Sequence, residues 1–345
     1  MKAIRLTGPQ TLEMIEREIP AVAAGHALVR VDLVGLCGSD LSYFSKGANG
    51  DFVVREPLVL GHEIVGTVIA TASDDASVQV GDRVAVHPVW PSPRAGDREV
   101  AADLAAEPAS FLGSASTSPH TDGGLQEHLA LRTERLRVIP SELPPRAAVL
   151  AEPTAVVLHA LSRAGDLRGV DAFVCGAGPI GLIAVLALRH AGARRVTVSD
   201  VRRAPLDLAL RIGADAVVDL TGDSGAPSSA DLVIEASGVP AALEAAVSIA
   251  RPSSTIVQLG MLPRDPRPIA LSGLVTKELR IVGTHRFGGE LDDALRLLDA
   301  SPEAAEIVTT VRAFDDATGA FAALADPAVT GKVVVDVSGA LGRRG

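Results

Sequence analysis

The run from residue 172 to 191 fixes what the second half of this chain can become. Ala172-Phe173-Val174-Cys175 is a short, continuous apolar stretch, and Gly176-Ala177-Gly178-Pro179-Ile180-Gly181 follows it without a break. Residues 179–191 are then rich in Ala, Leu and Ile. The pattern reads as strand, glycine turn, helix. A lone G-x-G-x-x-G says little, but between a strand and a helix it marks a dinucleotide-binding turn. Gly176 permits the tight turn, Gly178 lets a pyrophosphate approach the backbone, and Gly181 lets helix and strand pack closely. Free N–H groups at the helix N-terminus, around Pro179 and Ile180, then hold the phosphate. Asp200 ends the next apolar run about 20 residues on, where a carboxylate accepts from a ribose 2′-OH and repels a 2′-phosphate. NAD is therefore expected over NADP. Arg202 and Arg203 follow at once and keep NADP possible, because a guanidinium can receive that phosphate.

Further apolar runs lie at 196–199, 217–218, 232–234, 256–259 and 279–282, with helical segments between most of them. Six buried strands alternating with helices mean a parallel, doubly wound sheet. The first part of the chain has another rhythm. Short β-prone runs at 29–33, 66–70, 83–86 and 136–139 are separated by glycines and prolines, including Gly81 and Pro140. That spacing suggests a barrel-like all-β domain. Residues 90–110, broken by Pro91, Pro93 and Pro108, read as a surface excursion. The tail is mixed, and its last run, 332–337, is expected to rejoin the first domain. The expected organisation is an α/β chain: a β-barrel catalytic domain from 1–146 and 290–345, and a dinucleotide-binding domain from 147–289. A chain of 345 residues is long for a single core.

Composition excludes several classes of partner. The formal net charge is -10 and the pI near 5.3, with no lysine- or arginine-rich run. Nucleic acid and anionic membrane surfaces are thus not expected partners. Hydrophobic content of 47% beside 21% charged residues describes a soluble globular protein. Two cysteines make no disulfide framework, which suits a reducing compartment. The opening MKAIRLTGPQ has no apolar signal core, and the longest apolar run, 180–188, is far short of the roughly 20 residues that span a bilayer. A cytoplasmic location is expected.

One of the two cysteines sits in Cys37-Gly38-Ser39-Asp40, and Gly61-His62-Glu63 follows downstream. Sulfur, nitrogen and carboxylate donors with one position open describe a catalytic zinc, since a structural zinc closes its shell with four protein ligands. Taken alone, a cysteine and a histidine are as readily an inert buried thiol and a surface imidazole. The dinucleotide half decides between them. Zinc acidifies bound water, and by the same reasoning an alcohol, while a nicotinamide takes up hydride; the protein supplies alignment.

With these motifs in this order, the chain resembles the zinc-dependent medium-chain alcohol and polyol dehydrogenases over essentially its whole length. Gly61-His62-Glu63, Phe111-Leu112-Gly113-Ser114, the run from Pro119 to Gly124, Ala151-Glu152-Pro153 and Thr284-His285-Arg286-Phe287 are most similar to the L-idonate 5-dehydrogenase branch, then to sorbitol dehydrogenases. The resemblance implies a GroES-like β-barrel followed by a Rossmann sheet. It places Cys37, His62 and Glu63 on zinc-ligand positions, with Glu152 a further acid that binds the ion or sits within reach of it. Asp40 falls on the acid that orients the histidine ligand. Ser39 falls on the hydroxyl that takes the substrate proton, which makes Ser39, Glu63 and Glu152 the expected catalytic groups. Tyr43, Phe111, Arg286 and Phe287 fall on substrate-pocket positions. Leu259, Gly260, Met261, Thr284, His285 and Arg286 lie in loops expected to face the nicotinamide end.

Each assignment has a plainer competitor. Glu63 and Glu152 could be salt-bridged acids, Arg286 could only neutralise the pyrophosphate, and Tyr43 and Phe44 could be core aromatics. His120, His128 and His159 have no assignable partner and read as structural or solvated. Two departures from the family pattern matter. Many relatives carry four cysteines in the excursion after His87-Pro88, binding a structural zinc; this chain has Trp90-Pro91-Ser92-Pro93-Arg94 there, so one catalytic ion per chain is expected. Ser42 occupies the position of the histidine that ends the relatives' proton relay, and a hydroxyl does not titrate near neutral pH as imidazole does. The proton is then expected to leave through water. Phe287 lacks the hydroxyl of sorbitol-type enzymes, which favours an idonate-like pocket.

The expected activity is zinc- and NAD(P)-dependent oxidation of a secondary hydroxyl on a sugar acid or polyol, with L-idonate the favoured substrate. A sorbitol-, xylitol- or cyclitol-type enzyme is the alternative, and a non-catalytic dinucleotide-binding scaffold is the alternative of another class. By resemblance, a homo-oligomer (dimer or tetramer) forms through the edge strand near 279–282.

Overall fold

A computed structural model describes residues 1–72, 77–90, 110–222 and 229–341. The expected surface excursion, with its missing cysteines, falls largely outside the described residues.

The chain divides into two compact units. One comprises Pro153–Glu290 and Ser301–Ile307. Its centre is a six-stranded sheet in the order Ala216–Asp219, Arg195–Asp200, Asp171–Cys175, Ala230–Glu235, Ala250–Gln258, Arg280–Gly283. All five pairings are parallel. The strands read as apolar runs because helices cover both faces of such a sheet; Phe173, Val198, Val233 and Ile256 are accordingly buried. From Asp171–Cys175 the chain winds outward on one side, then returns and winds outward on the other. The glycine turn therefore sits at the switch point, where a parallel sheet leaves a crevice for ligands. The strand Ala250–Gln258 starts well before the apolar run at 256, because Arg251, Pro252, Ser253 and Ser254 hide its beginning. Leu259 and Leu279 lie just outside their strands.

The other unit comprises Met1–Glu152, Leu291–Ala300 and Val308–Gly345. Its seven-stranded sheet runs Leu136–Val138, Arg83–Val86, Glu63–Thr71, His26–Gly35, Lys332–Asp336, Val308–Ala313, with His128–Arg132 also paired to His26–Gly35. The last strand pairs antiparallel with His26–Gly35, so the C-terminal segment does rejoin the N-terminal sheet. Two register shifts between His26–Gly35 and Glu63–Thr71 add the local twist that bulges bring. Ile4, Val29, Val31, Leu60, Val84, Leu125 and Phe321 are among the residues of its core. Phe44 stacks on Phe321 with ring centroids 4.5 Å apart, a core role.

At one end of this sheet, Arg135 is buried and donates to the carbonyls of His87 and Pro88 at 2.9 and 2.5 Å. Arg132 lies over the Trp90 ring at 4.8 Å. Val89–Trp90 pairs with Ser110–Phe111, closing the ends of the segment between them. Among the described residues, no helix is long and apolar enough to cross a membrane.

Candidate active site

Two neighbouring strands of the unit that holds Met1–Glu152 bring the expected ligands together. His26–Gly35 ends two residues before Cys37, and Glu63 begins the strand opposite, with Gly35 facing Glu63 in register. Cys37 caps the helix Gly38–Lys46 in an extended conformation. One ligand atom each from Cys37, His62 and Glu63 lie within 4.8 Å of one another.

Asp40 organises this corner. Its Oδ2 accepts the Cys37 N–H at 2.9 Å, its Oδ1 accepts the Gly61 N–H at 3.1 Å, and Oδ1 lies 3.6 Å from His62 Nδ1. A carboxylate facing Nδ1 leaves Nε2 to serve as the metal donor. Burial works to raise the Asp40 pKa, yet the His62 charge and the N–H donors overcome it and hold the carboxyl below its ordinary value. Burial likewise opposes charge on His62, and attraction to Asp40 and Cys37 lifts its pKa well above the usual imidazole value.

Lys332, the first residue of its strand, was not expected here. Its side chain is buried and its Nζ donates to Glu63 Oε1. Burial lowers its pKa, but the charges of Glu63, Cys37 and Glu152 more than reverse this. Glu63 Oε2, by contrast, is buried with no partner. Gly35 makes room for both groups: a Cβ there would stand 2.1 Å from Glu63 Oε2 and 3.1 Å from Lys332 Cε. Glu152, second residue of the helix Ala151–Ser162, is buried close enough to feel all of these charges. Burial, set against His62 and added to by Glu63, pushes its pKa up to about 7. A zinc ion fits this donor set, because a soft sulfur, an imidazole nitrogen and an orphaned carboxylate oxygen converge where a buried acceptor otherwise goes unpaired.

Around this centre Phe111 packs beside His62, ring centroids 5.3 Å apart. Ser39 is half-buried in the first turn of the Cys37 helix. Ser42 donates its hydroxyl to the Gly38 carbonyl, so it spends that proton within its own helix. Tyr43 is 2% exposed, and its hydroxyl is shared with Ser114 Oγ at 3.1 Å and the Ala115 N–H at 3.3 Å. Its placement is that of a core aromatic. His120 is structural too: its Nε2 accepts the Arg55 N–H at 2.9 Å.

In the unit that holds Pro153–Glu290 the glycine turn has the shape a pyrophosphate needs. Gly176 has φ +98°, a Cβ on Gly178 would meet nothing within 4 Å, and one on Gly181 would stand 1.9 Å from the Gly176 carbonyl oxygen. Pro179 and Ile180 begin the helix Pro179–His190, with Gly178 as its N-cap. Asp200 Oδ2 accepts the Ala177 N–H at 2.8 Å and Oδ1 the Arg202 N–H at 3.0 Å, so the acid is fastened to the turn. Arg202 Nε leans toward Asp200 at 3.6 Å, while Arg203 pairs with Asp207. Leu259 and Gly260 donate to the Glu235 carbonyl, and Met261 is 83% exposed. Thr284 keeps a buried hydroxyl without a partner, His285 is exposed, Arg286 has φ +56°, and Phe287 is buried. His159 finds a partner in this unit, Glu290, at 2.8 Å. The structure thus assembles the zinc donors and, separately, the cofactor turn; Tyr43 and Phe287 it packs inside.

The thiols differ sharply. Burial, and then the Glu235 charge, push the Cys175 thiol up to about 12, and the residue is 3% exposed; Cys37 is only half-buried. Since the thiolate is the reactive form, iodoacetamide at pH 8 should label Cys37 alone, and added zinc should protect it. Mass spectrometry of tryptic peptides would show this, and labelling of native Cys175 would contradict it.

These sites define a metal- and dinucleotide-using alcohol oxidoreductase. Residues 23–141 match the alcohol dehydrogenase GroES-like domain and residues 179–300 the zinc-binding dehydrogenase family. The chain belongs to the zinc-dependent, NAD(P)-binding medium-chain alcohol and polyol dehydrogenases. It is 32% identical over 298 residues to L-idonate 5-dehydrogenase (NAD(P)(+)) of Escherichia coli strain K12, covering 85% of this chain and 86% of that one. It is also 32% identical over 302 residues to sorbitol dehydrogenase of Bos taurus, covering 84% and 83%. The crystal structure of the Escherichia coli L-idonate 5-dehydrogenase superposes with a TM-score of 0.85 at 27% identity, covering 97% of this chain and 98% of that one. This membership selects the enzyme over the non-catalytic scaffold.

Proposed function

We propose that the chain oxidises a secondary hydroxyl of a sugar acid, L-idonate best among them, with NAD as the preferred acceptor. The observation that carries the catalytic part is the cluster of Cys37, His62 and Glu63 donors within 4.8 Å, completed by an unpaired buried carboxylate oxygen. When bound, zinc would polarise the substrate hydroxyl and the nicotinamide would accept hydride. Cys37, His62 and Glu63 would hold the ion, with Glu152 in reserve. Asp40 fixes the His62 ring. Ser39, beside Cys37, receives the hydroxyl proton; Ser42, bonded to Gly38, passes none on, so water completes the path. Arg286 supports the sugar-acid choice, because a guanidinium pairs with a carboxylate in a two-pronged fork. Phe111 supplies an apolar wall beside His62, and His285 and Thr284 stand beside Arg286 in the loop after Arg280–Gly283.

Steady-state assays on L-idonate, sorbitol, xylitol and threonine test this reading. It expects the highest kcat/KM on L-idonate; a clear preference for the uncharged polyols would overturn the sugar-acid part. The polyol alternative draws support from the likeness to the sorbitol dehydrogenase and to a probable D-xylulose reductase of Emericella nidulans, 32% identical over 331 residues.

Cofactor choice has its own test. In Asp200→Asn the shape stays and the charge goes, so a hydrogen bond to a charged acceptor, worth about 1.5 kcal/mol, is weakened. The ratio of kcat/KM for NADP to that for NAD should rise by about tenfold. An unchanged ratio would remove Asp200 from ribose recognition. The strand Arg280–Gly283 is the sheet's edge, paired on one side only among the described residues. We expect two copies to cover it in a homodimer, as edges invite pairing.

A further inference from the structure

The carboxylate of Glu235 has no part in the reading above, yet it is wholly buried at the carboxyl end of the strand Ala230–Glu235, next to the glycine turn. Four donor groups converge on it. Oε1 accepts the Ser237 N–H at 2.8 Å, the Ser237 hydroxyl, and the Gly238 N–H at 3.1 Å; Oε2 accepts the Gly238 N–H at 3.1 Å and the Gln258 side-chain amide. That amide donates again, to the Gly260 carbonyl at 2.8 Å. Its orientation is fixed, because the flipped amide would set an oxygen against the carboxylate. No cation pairs with Glu235 among the described residues. A buried anion of this kind costs free energy unless every lone pair is used, and here they are used to fasten loops.

Two loops hang on this one group. The turn after Ala230–Glu235, through Ser237 and Gly238, is held by the carboxylate directly. The segment after Ala250–Gln258, through Leu259, Gly260 and Met261, is held by way of Gln258 and by the Glu235 carbonyl, which accepts from Leu259 and Gly260 at 2.8 Å each. The loops also interlock. A Cβ on Gly260 would stand 2.1 Å from Gly238 N and 2.5 Å from Glu235 Oε2, and one on Gly238 would stand 2.6 Å from the Met261 oxygen. A Cβ on Gly176 would meet Ser237 Cβ at 3.1 Å, so the first loop abuts the phosphate turn as well. At their tips the loops present Val239 and Met261, both exposed.

We propose that Glu235 is a positioning residue for the nicotinamide half of the dinucleotide: it sets the separation and direction of the two loops beyond the glycine turn. This rests on the reading that residues 259–261 face the nicotinamide. Hydrogen bonds to an ionised acceptor are roughly twice as strong as neutral ones, and here they hold the Ser237–Gly238 backbone beside the glycine turn. A purely structural acid would affect all parts of the cofactor alike. A positioning acid would affect only the part its loops touch.

The test uses the full-length enzyme and two probes, NADH and AMP, AMP reporting only the adenosine half. For Glu235→Gln, the Kd for NADH should rise about tenfold with the Kd for AMP unchanged within about twofold, and KM for NAD should rise more than kcat falls. Gln258→Leu cuts the second loop's side-chain tie to Glu235 and leaves the Ser237 contacts and the bonds of Leu259 and Gly260 to the Glu235 carbonyl; it should show a smaller loss in the same direction, and it serves if Glu235→Gln fails to fold. Equal weakening of NADH and AMP, or no weakening of either in the variant that folds, overturns the proposal. Met261→Ala and Leu259→Ala separate the two layers. If neither changes NADH affinity, the loops do not face the nicotinamide and that reading falls; if they weaken NADH while Glu235→Gln does not, the loops stand and Glu235 is not what positions them.

Discussion

Cys37→Ala should leave the protein folded but nearly free of zinc, and lower kcat/KM by about a thousandfold, since Lewis-acid stabilisation is worth several kcal/mol at about 1.4 kcal/mol per decade. Cys37 is the one sulfur of the donor cluster, and its backbone is held by Asp40 whatever its side chain is. Deleting the thiol therefore removes a ligand without loosening the corner that presents His62. Metal content by plasma mass spectrometry and steady-state rates on the same preparation give the answer. About one zinc per chain in the parent and almost none in the variant is the expected pair of values for a single catalytic site. Full turnover by a zinc-free Cys37→Ala protein would overthrow the assignment.

Lys332→Met should be nearly as damaging, but to stability. Lys332 and Glu63 are buried against each other, at 3% and 1% exposure. Removing one member of such a pair strands the other's charge, which costs about 3–5 kcal/mol. The loss should be largest in chelator-treated protein and smaller with zinc present, because the ion supplies Glu63 with another positive neighbour. Adding Glu63→Gln should recover much of the loss in zinc-free protein, as both charges are then gone. Urea unfolding of the two single variants and the double, each with and without zinc, measures all of this. Additive losses in the double variant would show that the two side chains do not depend on each other.

The ease of reading each part from sequence follows from how local its causes are. The strand–turn–helix at 171–190 is legible because Gly176, Gly178 and Gly181 act within a few residues of themselves. Cys37, His62 and Glu63 announce themselves by ligand chemistry. Lys332 does not: it opens an apolar run that reads as an ordinary buried strand, and its partner lies 269 residues away. Gly35 is equally silent, since what it does is leave space. Its cue was a glycine ending a long strand, a position that marks a close approach. Tyr43 looked like a substrate contact by resemblance, and its hydroxyl instead closes on Ser114 and Ala115 within the core. His159 had no nameable partner because Glu290 stands 131 residues on.

The ladder at Val89–Trp90 and Ser110–Phe111 carries a consequence for modularity. Its two stems are braced from outside the intervening segment, by Arg135 on the His87 and Pro88 carbonyls and by Arg132 on Trp90. Whatever joins the stems can then be exchanged for a chain of other length or composition, at only about 0.6 kcal/mol of closure entropy per doubling. A splice site of that kind lets one scaffold gain or shed an entire lobe while the metal corner stays where Asp40 put it.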